Sequence, residues 1–256
     1  MKHLLKFLFI ISSITISSFV AADKIRIGVE GAYPPFSQTN SDGSLSGFDI
    51  DITYALCNAM GHECTLVKQD WDGIIPALLA KKYDAIIASM SITEERKKRV
   101  AFTNKYYQMP VKFVRHKGSG LALSAQGLKG KRIGVQRGTT FDNYVTDNYG
   151  NQAEIVRYTS QEEVFLDLQT RRLDATLAER AAVEEGFLST PAGKDFEFFG
   201  PDITDPRWFG EGIGIALRKQ DTKLVQEFND AIATIRQNGE YRRINDKYFT
   251  YDIFGD

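Results

Sequence analysis

The chain has 256 residues with Lys+Arg 32 against Asp+Glu 33, a near-neutral balance that argues against nucleic acid as a partner. Apolar and charged residues occur at 43% and 25%, so most of the chain can bury a core and is not disordered. The length suits one large domain or two small ones.

The first element in chain order is a leader. Lys2 and Lys6 precede an apolar run over residues 7–11, then Ile14, Ile16, Phe19 and Val20 follow a Ser pair, and the stretch ends in Ala21-Ala22. A charged start, a short apolar core and small residues before a cut describe a secretory signal peptide over residues 1–22. The run is too short and too broken by Ser and Thr to span roughly 30 Å of hydrocarbon. Cleavage is expected after Ala22, leaving about 230 residues. No cysteine sits at the cut, so a lipid anchor is not expected and a Gram-negative periplasm is the expected compartment.

Residues 24–29 then read as a short buried strand that runs into the loop Glu30-Gly31-Ala32-Tyr33. Gly47-Phe48-Asp49-Ile50-Asp51 opens a helix bearing Ile52, Ala55, Leu56, Ala59 and Met60. Asp49 and Asp51 look like a metal or acid pair, but acids in a first turn ordinarily complement the helix dipole, and that is the role expected. Cys57 and Cys64 are the two cysteines; in an exported chain such a close pair most often forms a local disulfide, worth ~2 kcal/mol. His3, His62 and His116 are scattered, so neither a metal nor a cofactor is expected.

Ile74, Ile75, Leu78 and Leu79 recur at helical spacing before a basic corner, Lys81-Lys82. Asp84-Ala85 then starts a buried strand that leads to Ala88-Ser89-Met90-Ser91. The second half repeats this order. Arg132-Ile133-Gly134-Val135 is identical to Arg26-Ile27-Gly28-Val29, and residues 168–178 resemble residues 78–88, each passing from a helix through two basic residues into Asp-Ala. The helix before Asp174 opens with Ser160 and Glu163, a capping box, and turns Val164, Phe165 and Leu168 inward. Strand, helix, strand in this order implies parallel pairing with helices on the sheet faces. Chance likeness explains one such match more easily than two in the same order, so two similar α/β lobes are predicted. The chain ends in two helices, 222–236 and 240–248, with Leu224, Phe228, Ile232 and Ile235 on one apolar face.

Ligands on open α/β sheets sit beyond the carboxyl ends of strands. The candidate site is therefore Glu30 and Tyr33, Ala88 to Ser91, Gln136 to Thr140, and Glu179. Arg96 follows at the start of a helix that Thr93 can cap. Its guanidinium suits a bidentate grip on a carboxylate, with Ser89, Ser91 and Thr140 adding donors; pairing with Glu94 or Glu95 is the competing reading. Glu30 and Glu179 suit either two cationic groups of one ligand or an acid/base pair for hydrolysis. Tyr33 and Trp71 offer flat faces for stacking an alkyl chain or guanidinium, although Trp71 fits a core position equally well.

Beyond these local readings, the chain resembles the polar-amino-acid receptors of bacterial ABC importers, above all the lysine/arginine/ornithine, histidine and arginine binding proteins. The resemblance rests on Arg26-Ile27-Gly28, Tyr33-Pro34-Pro35-Phe36, residues 47–51, Asp84-Ala85-Ile86-Ile87 and Ser91-Ile92-Thr93 through Arg96. Residues 127–131, Gly138-Thr139-Thr140, residues 191–196 and Phe209-Gly210-Glu211-Gly212 continue it in fixed order. It implies a two-lobed α/β fold, the type II periplasmic binding protein, each lobe a mixed, mostly parallel sheet flanked by helices, with two hinge strands near 107–111 and 204–212. Lobe 1 would comprise residues 23–109 plus 207–256, and lobe 2 residues 110–206.

By the same resemblance, Arg96, Ser91 and Thr140 take the ligand carboxylate. Glu179 and Ser89 take the α-ammonium, Tyr33 and Trp71 sandwich the side chain, Glu30 meets a distal cation, and Cys57 and Cys64 match a disulfide of these receptors. Ala88, Met90 and Gln136 complete the expected pocket. Two positions depart from the pattern: Glu179 stands where Asp is usual, and Glu30 stands where the lysine/ornithine type has Asp and resembles the arginine receptors; Arg137 beside the pocket loop is also unusual and is expected to face solvent. A carboxylate at Glu30 with two aromatic faces fits a guanidinium, so L-arginine is the expected ligand ahead of lysine, ornithine and histidine. The expected partners are that ligand and a membrane ABC permease with its cytoplasmic ATPase, and a monomer is expected. An enzyme is not expected. The rival is a periplasmic dehydratase acting on prephenate or arogenate, whose anionic substrate Glu30 would repel; a second rival is a sensory ligand carrier.

Overall fold

The computed structural model describes residues 24–255; the expected leader and its cut lie outside the described residues. Strand β1 (Lys24–Val29) is followed by an antiparallel meander of β2 (Ala32–Tyr33), β3 (Ser37–Thr39) and β4 (Leu45–Ser46). Helix α1 (Phe48–Met60) leads to β5 (Glu63–Lys68), which runs parallel to β1 along its whole length. A 3-10 turn at Trp71–Gly73 enters α2 (Ile74–Leu79), and β6 (Ala85–Ile86) pairs parallel with β1 on its other side. Then come α3 (Glu94–Lys97) and β7 (Ala101–Tyr107).

The second half contributes β8 (Val111–His116), β9 (Arg132–Gln136), α4 (Thr140–Tyr149), β10 (Glu154–Tyr158) and α5 (Gln161–Gln169). It continues with β11 (Ala175–Glu179), α6 (Arg180–Val183), β12 (Phe196–Ile203) and α7 (Pro206–Phe209). The chain ends with β13 (Ile213–Leu217), α8 (Thr222–Gln237) and α9 (Glu240–Tyr248).

Two five-stranded mixed sheets result, in the orders β5-β1-β6-β13-β7 and β10-β9-β11-β8-β12. In each, three parallel strands meet a strand of opposite direction, β13 beside β6 and β8 beside β11. Each sheet has its own core. Ile27, Phe36, Phe48, Leu56 and Phe228 belong to one, and Phe113, Val135, Val164 and Leu177 to the other. The chain passes between the sheets through residues 108–110 and again through 204–212.

The duplication holds at atomic detail. Asp84 and Asp174 donate their N–H to the carbonyls of Arg26 and Arg132, both at 2.8 Å, and their carboxylates accept from the N–H of the same two residues. Lys81 and Arg171, at the two basic corners, share a left-handed φ of 61° and 60°. A Cβ on Gly28 would lie 2.5 Å from Tyr83, and one on Gly134 2.2 Å from Leu173, so in both copies the bulky residue before Asp requires a glycine on the neighbouring strand. The α5 capping box is present, and Cys57 on α1 is bonded to Cys64 on β5. Leu79 differs from expectation at 42% exposed. The six-residue α2 buries only the stripe of Ile74, Ala77 and Leu78, and one step round from Leu78 faces outward.

Candidate functional site

The carboxyl ends of β1, β6 and β9 converge on a cavity, as expected where parallel strands diverge on opposite sides of a neighbour. One sheet supplies Glu30, Tyr33, Trp71, Ala88, Ser89, Ser91 and Arg96 to its wall; the other supplies Gln136 and Thr140. Two expected residues lie elsewhere. Met90 is fully buried in a core cluster with Trp71, and its carbonyl accepts from the Gly214 N–H. Glu179 lines a second cavity at the crossing segments, and this cavity shares Ser91 and Phe141 with the first.

Thr139, within the expected segment 136–140, also reaches the cavity wall, whereas Phe141 was not expected there. Thr139 was legible as a cap, because its hydroxyl accepts from the Asp142 N–H at the start of α4. Nothing local marks Phe141.

Arg96 is positioned from two directions. The Thr93 hydroxyl caps α3 by accepting from the Arg96 N–H, and Arg96 Nη1 donates to the Ser91 carbonyl at 3.0 Å. Ser91 is itself bridged to Ile213 on β13. The guanidinium lies over the Trp71 ring, 5.2 Å from its centroid, so Trp71 serves the core and the cavity wall together. Glu94 pairs with Lys97 instead, and among the described residues Arg96 has no ion-pair partner. Burial lowers its pKa to about 10, which leaves it charged at neutral pH. On the same wall, the first-turn amides of α4 cannot be satisfied inside the helix and add partial positive charge.

Facing this cation are buried acids. Glu30 is 5% exposed and accepts from Gln136 Nε2 at 2.5 Å. Burial pushes its pKa up to about 7 despite that bond, and Glu162, Asp70 and Asp49 add to the rise. Glu179 is 3% exposed and accepts from the Tyr107 hydroxyl at 2.8 Å. Burial pushes it up to about 8, with Asp49 adding and Arg96 opposing. The Tyr33 hydroxyl is buried beside Glu179, whose charge raises its pKa further.

Three contacts clasp the two sheets over the cavity. Besides Gln136 to Glu30, Trp71 Nε1 donates to the Gly138 carbonyl at 3.3 Å, and Arg137 pairs with Asp72. Arg137 therefore does not simply face solvent; the opposing lobe brings a carboxylate to it.

Two α/β sheets with facing strand ends, two chain crossings and a charged, shielded cavity between them define a clamshell protein for a small solute. The chain belongs to the bacterial extracellular solute-binding proteins, family 3, which it matches over residues 25–251. It is 49% identical over 246 residues to the L-arginine-binding protein of Pseudomonas aeruginosa, covering 96% of this chain and 95% of that one. It is 41% identical to the lysine/arginine/ornithine-binding periplasmic protein of Escherichia coli, covering 94% and 93%. A solved periplasmic binding protein of Salmonella typhimurium with high arginine specificity superposes with a TM-score of 0.82 at 33% identity, covering 90% of this chain and 100% of that one. An ancestral amino acid-binding protein, a precursor of cyclohexadienyl dehydratase, superposes at 0.77 with 27% identity, covering 89% and 95%.

Proposed function

We propose that the protein is a periplasmic receptor for a basic L-amino acid, arginine before lysine, ornithine or histidine, and that it delivers this ligand to an ABC permease. One observation carries the reading: a half-buried, desolvated guanidinium with no ion-pair partner among the described residues shares its surroundings with two buried acids. A basic amino acid has one carboxylate and two cationic groups, the inverse of that pattern. Arg96, Ser91 and Thr140 hold the carboxylate. Glu179 and Ser89 hold the α-ammonium, and Glu30, backed by Gln136, meets the distal cation between Tyr33 and Trp71. The names of the two relatives support this choice of ligand.

The lobes are residues 23–109 with 207–256, and residues 110–206, moving about the two crossings. The protein acts as a monomer, is exported by cleavage after Ala22, and performs no chemical step. Glu30 in the cavity and Glu179 in the adjoining one disfavour an anionic dicarboxylate such as prephenate, which supports binding over dehydration.

The test is a melting curve with millimolar arginine, lysine, ornithine or histidine. A ligand at a hundred times its Kd adds about 2.7 kcal/mol, a rise of roughly 5–10 °C for a chain of this size. A curve unmoved by all four overturns the reading.

The Arg137–Asp72 pair gives a second expectation. Each partner is about half exposed, so its coupling should be about 0.2–1 kcal/mol. Arg137→Ala and Asp72→Ala should each speed ligand release by roughly 1.4- to fivefold, with no further gain in the double variant, and the effect should shrink in high salt. Stopped-flow measurement of release checks this; release rates equal to the parent protein's would show that the pair does not latch the cleft.

A further inference from the structure

Asp49 is a third buried acid, and the ligand contacts described above leave it unused. It sits in the first turn of α1, where it complements the dipole as expected, yet its exposure is 0%. Its Oδ2 accepts from the Ser89 hydroxyl at 2.9 Å and its Oδ1 from the Tyr106 hydroxyl at 2.8 Å. No Lys, Arg or His among the described residues pairs with it. Ser89 has a left-handed φ of 50°, a costly backbone for a residue other than glycine. That backbone is secured because the Ser89 N–H donates to the Tyr106 hydroxyl at 3.3 Å. The Tyr106 hydroxyl thus accepts from the Ser89 N–H and donates its own O–H to Asp49, and the three groups interlock behind the cavity wall.

An ionised carboxylate only accepts hydrogen bonds, and a serine hydroxyl has one proton to give. With that proton committed to Asp49, Ser89 presents lone pairs to the cavity it lines. We propose that Asp49 is a positioning residue that fixes Ser89 as an obligate acceptor for the ligand's α-ammonium. The proposal rests on reading the cavity as an amino-acid site. Burial raises the pKa of Asp49 to about 7, and an ammonium bound at Ser89 favours its ionised, accepting form.

Asp49→Asn tests this, because the near-isosteric amide offers donors and frees the Ser89 proton to turn toward the cavity. Calorimetry compares L-arginine with 5-guanidinopentanoate, which keeps the carboxylate and guanidinium and lacks the ammonium. Asp49→Asn should weaken L-arginine roughly ten- to a hundredfold and change the deamino compound by less than about twofold. In a Ser89→Ala background the same substitution should add little. Equal loss of both compounds, no loss of L-arginine, or losses that multiply across the two variants would each overturn the proposal. Should Asp49→Asn fail to fold, Tyr106→Phe, which removes one of the two hydroxyls on Asp49, should show the same selective loss at smaller size. If the parent protein binds no arginine, the ligand reading fails separately. The comparison is then made with the amino acid that does bind and its deamino counterpart.

Discussion

Arg96→Ala should remove measurable binding of every amino acid, basic or neutral. All of them share the α-carboxylate, and the truncation leaves that carboxylate buried opposite acids with its principal counter-charge gone. Truncating one partner of a buried, hydrogen-bonded charge pair costs about 2–5 kcal/mol, a thirtyfold to several-thousandfold loss of affinity. The ligand-free protein should remain folded, since Arg96 is desolvated without an ion-pair partner and its removal relieves that cost. Arg96→Lys should fall between, because an ammonium keeps the charge and loses the planar fork. Calorimetry across the twenty amino acids and ornithine checks both variants. Arginine binding by Arg96→Ala within about threefold of the parent would place the carboxylate elsewhere.

Glu30→Gln should separate ligands that Arg96→Ala treats alike. Basic amino acids should lose about 2–5 kcal/mol of affinity, since their distal cation is left without a carboxylate, while glutamine, if it binds at all, should bind at least as well as before. Equal loss for glutamine and arginine would remove the role given to Glu30.

The same variant has a stability signature whose sign is opposite to that of an ordinary salt-bridged acid. The pKa of Glu30 is raised from 4.5 to about 7 by burial, so the ionised form is the costly one. The ligand-free protein is free of that cost below about pH 4.5, and stability is lost as pH rises toward 7, by at most about 3 kcal/mol. Melting temperatures of the ligand-free protein between pH 5 and 8 should therefore fall less steeply in Glu30→Gln than in the parent. Parallel slopes would show that Glu30 is not desolvated in the ligand-free state.

These expectations draw on different levels of information. The repeated strands, the basic corners and the α5 cap were legible because each follows from neighbours within a few residues. The location of the cavity was legible too, since parallel strand–helix–strand units put their carboxyl ends together. Ten of the expected residues reach the cavity wall for that reason. Asp49 shows where local reading stops. Its place in a helical first turn was read correctly, yet nothing near it in the chain reveals Ser89 and Tyr106, which lie 40 and 57 residues away.

Glu179 and Arg137 make the same point. The chain order placed Glu179 at a strand end, while packing turned its carboxylate to Tyr107 at the crossing. Arg137 looked like a surface charge until the opposing lobe supplied Asp72.

By itself, then, the amino-acid sequence determined the two α/β units, the strand-end location of the site and the residue types able to meet a carboxylate and two cationic groups. Only the tertiary structure decided that Arg96 has no ion-pair partner among the described residues, that Glu30 meets Gln136 from the other sheet, and that Ser89 is held by Asp49. Local periodicity and capping set the direction of a side chain on its own element. The group that meets it, and the water excluded around both, depend on segments brought together over long sequence distances.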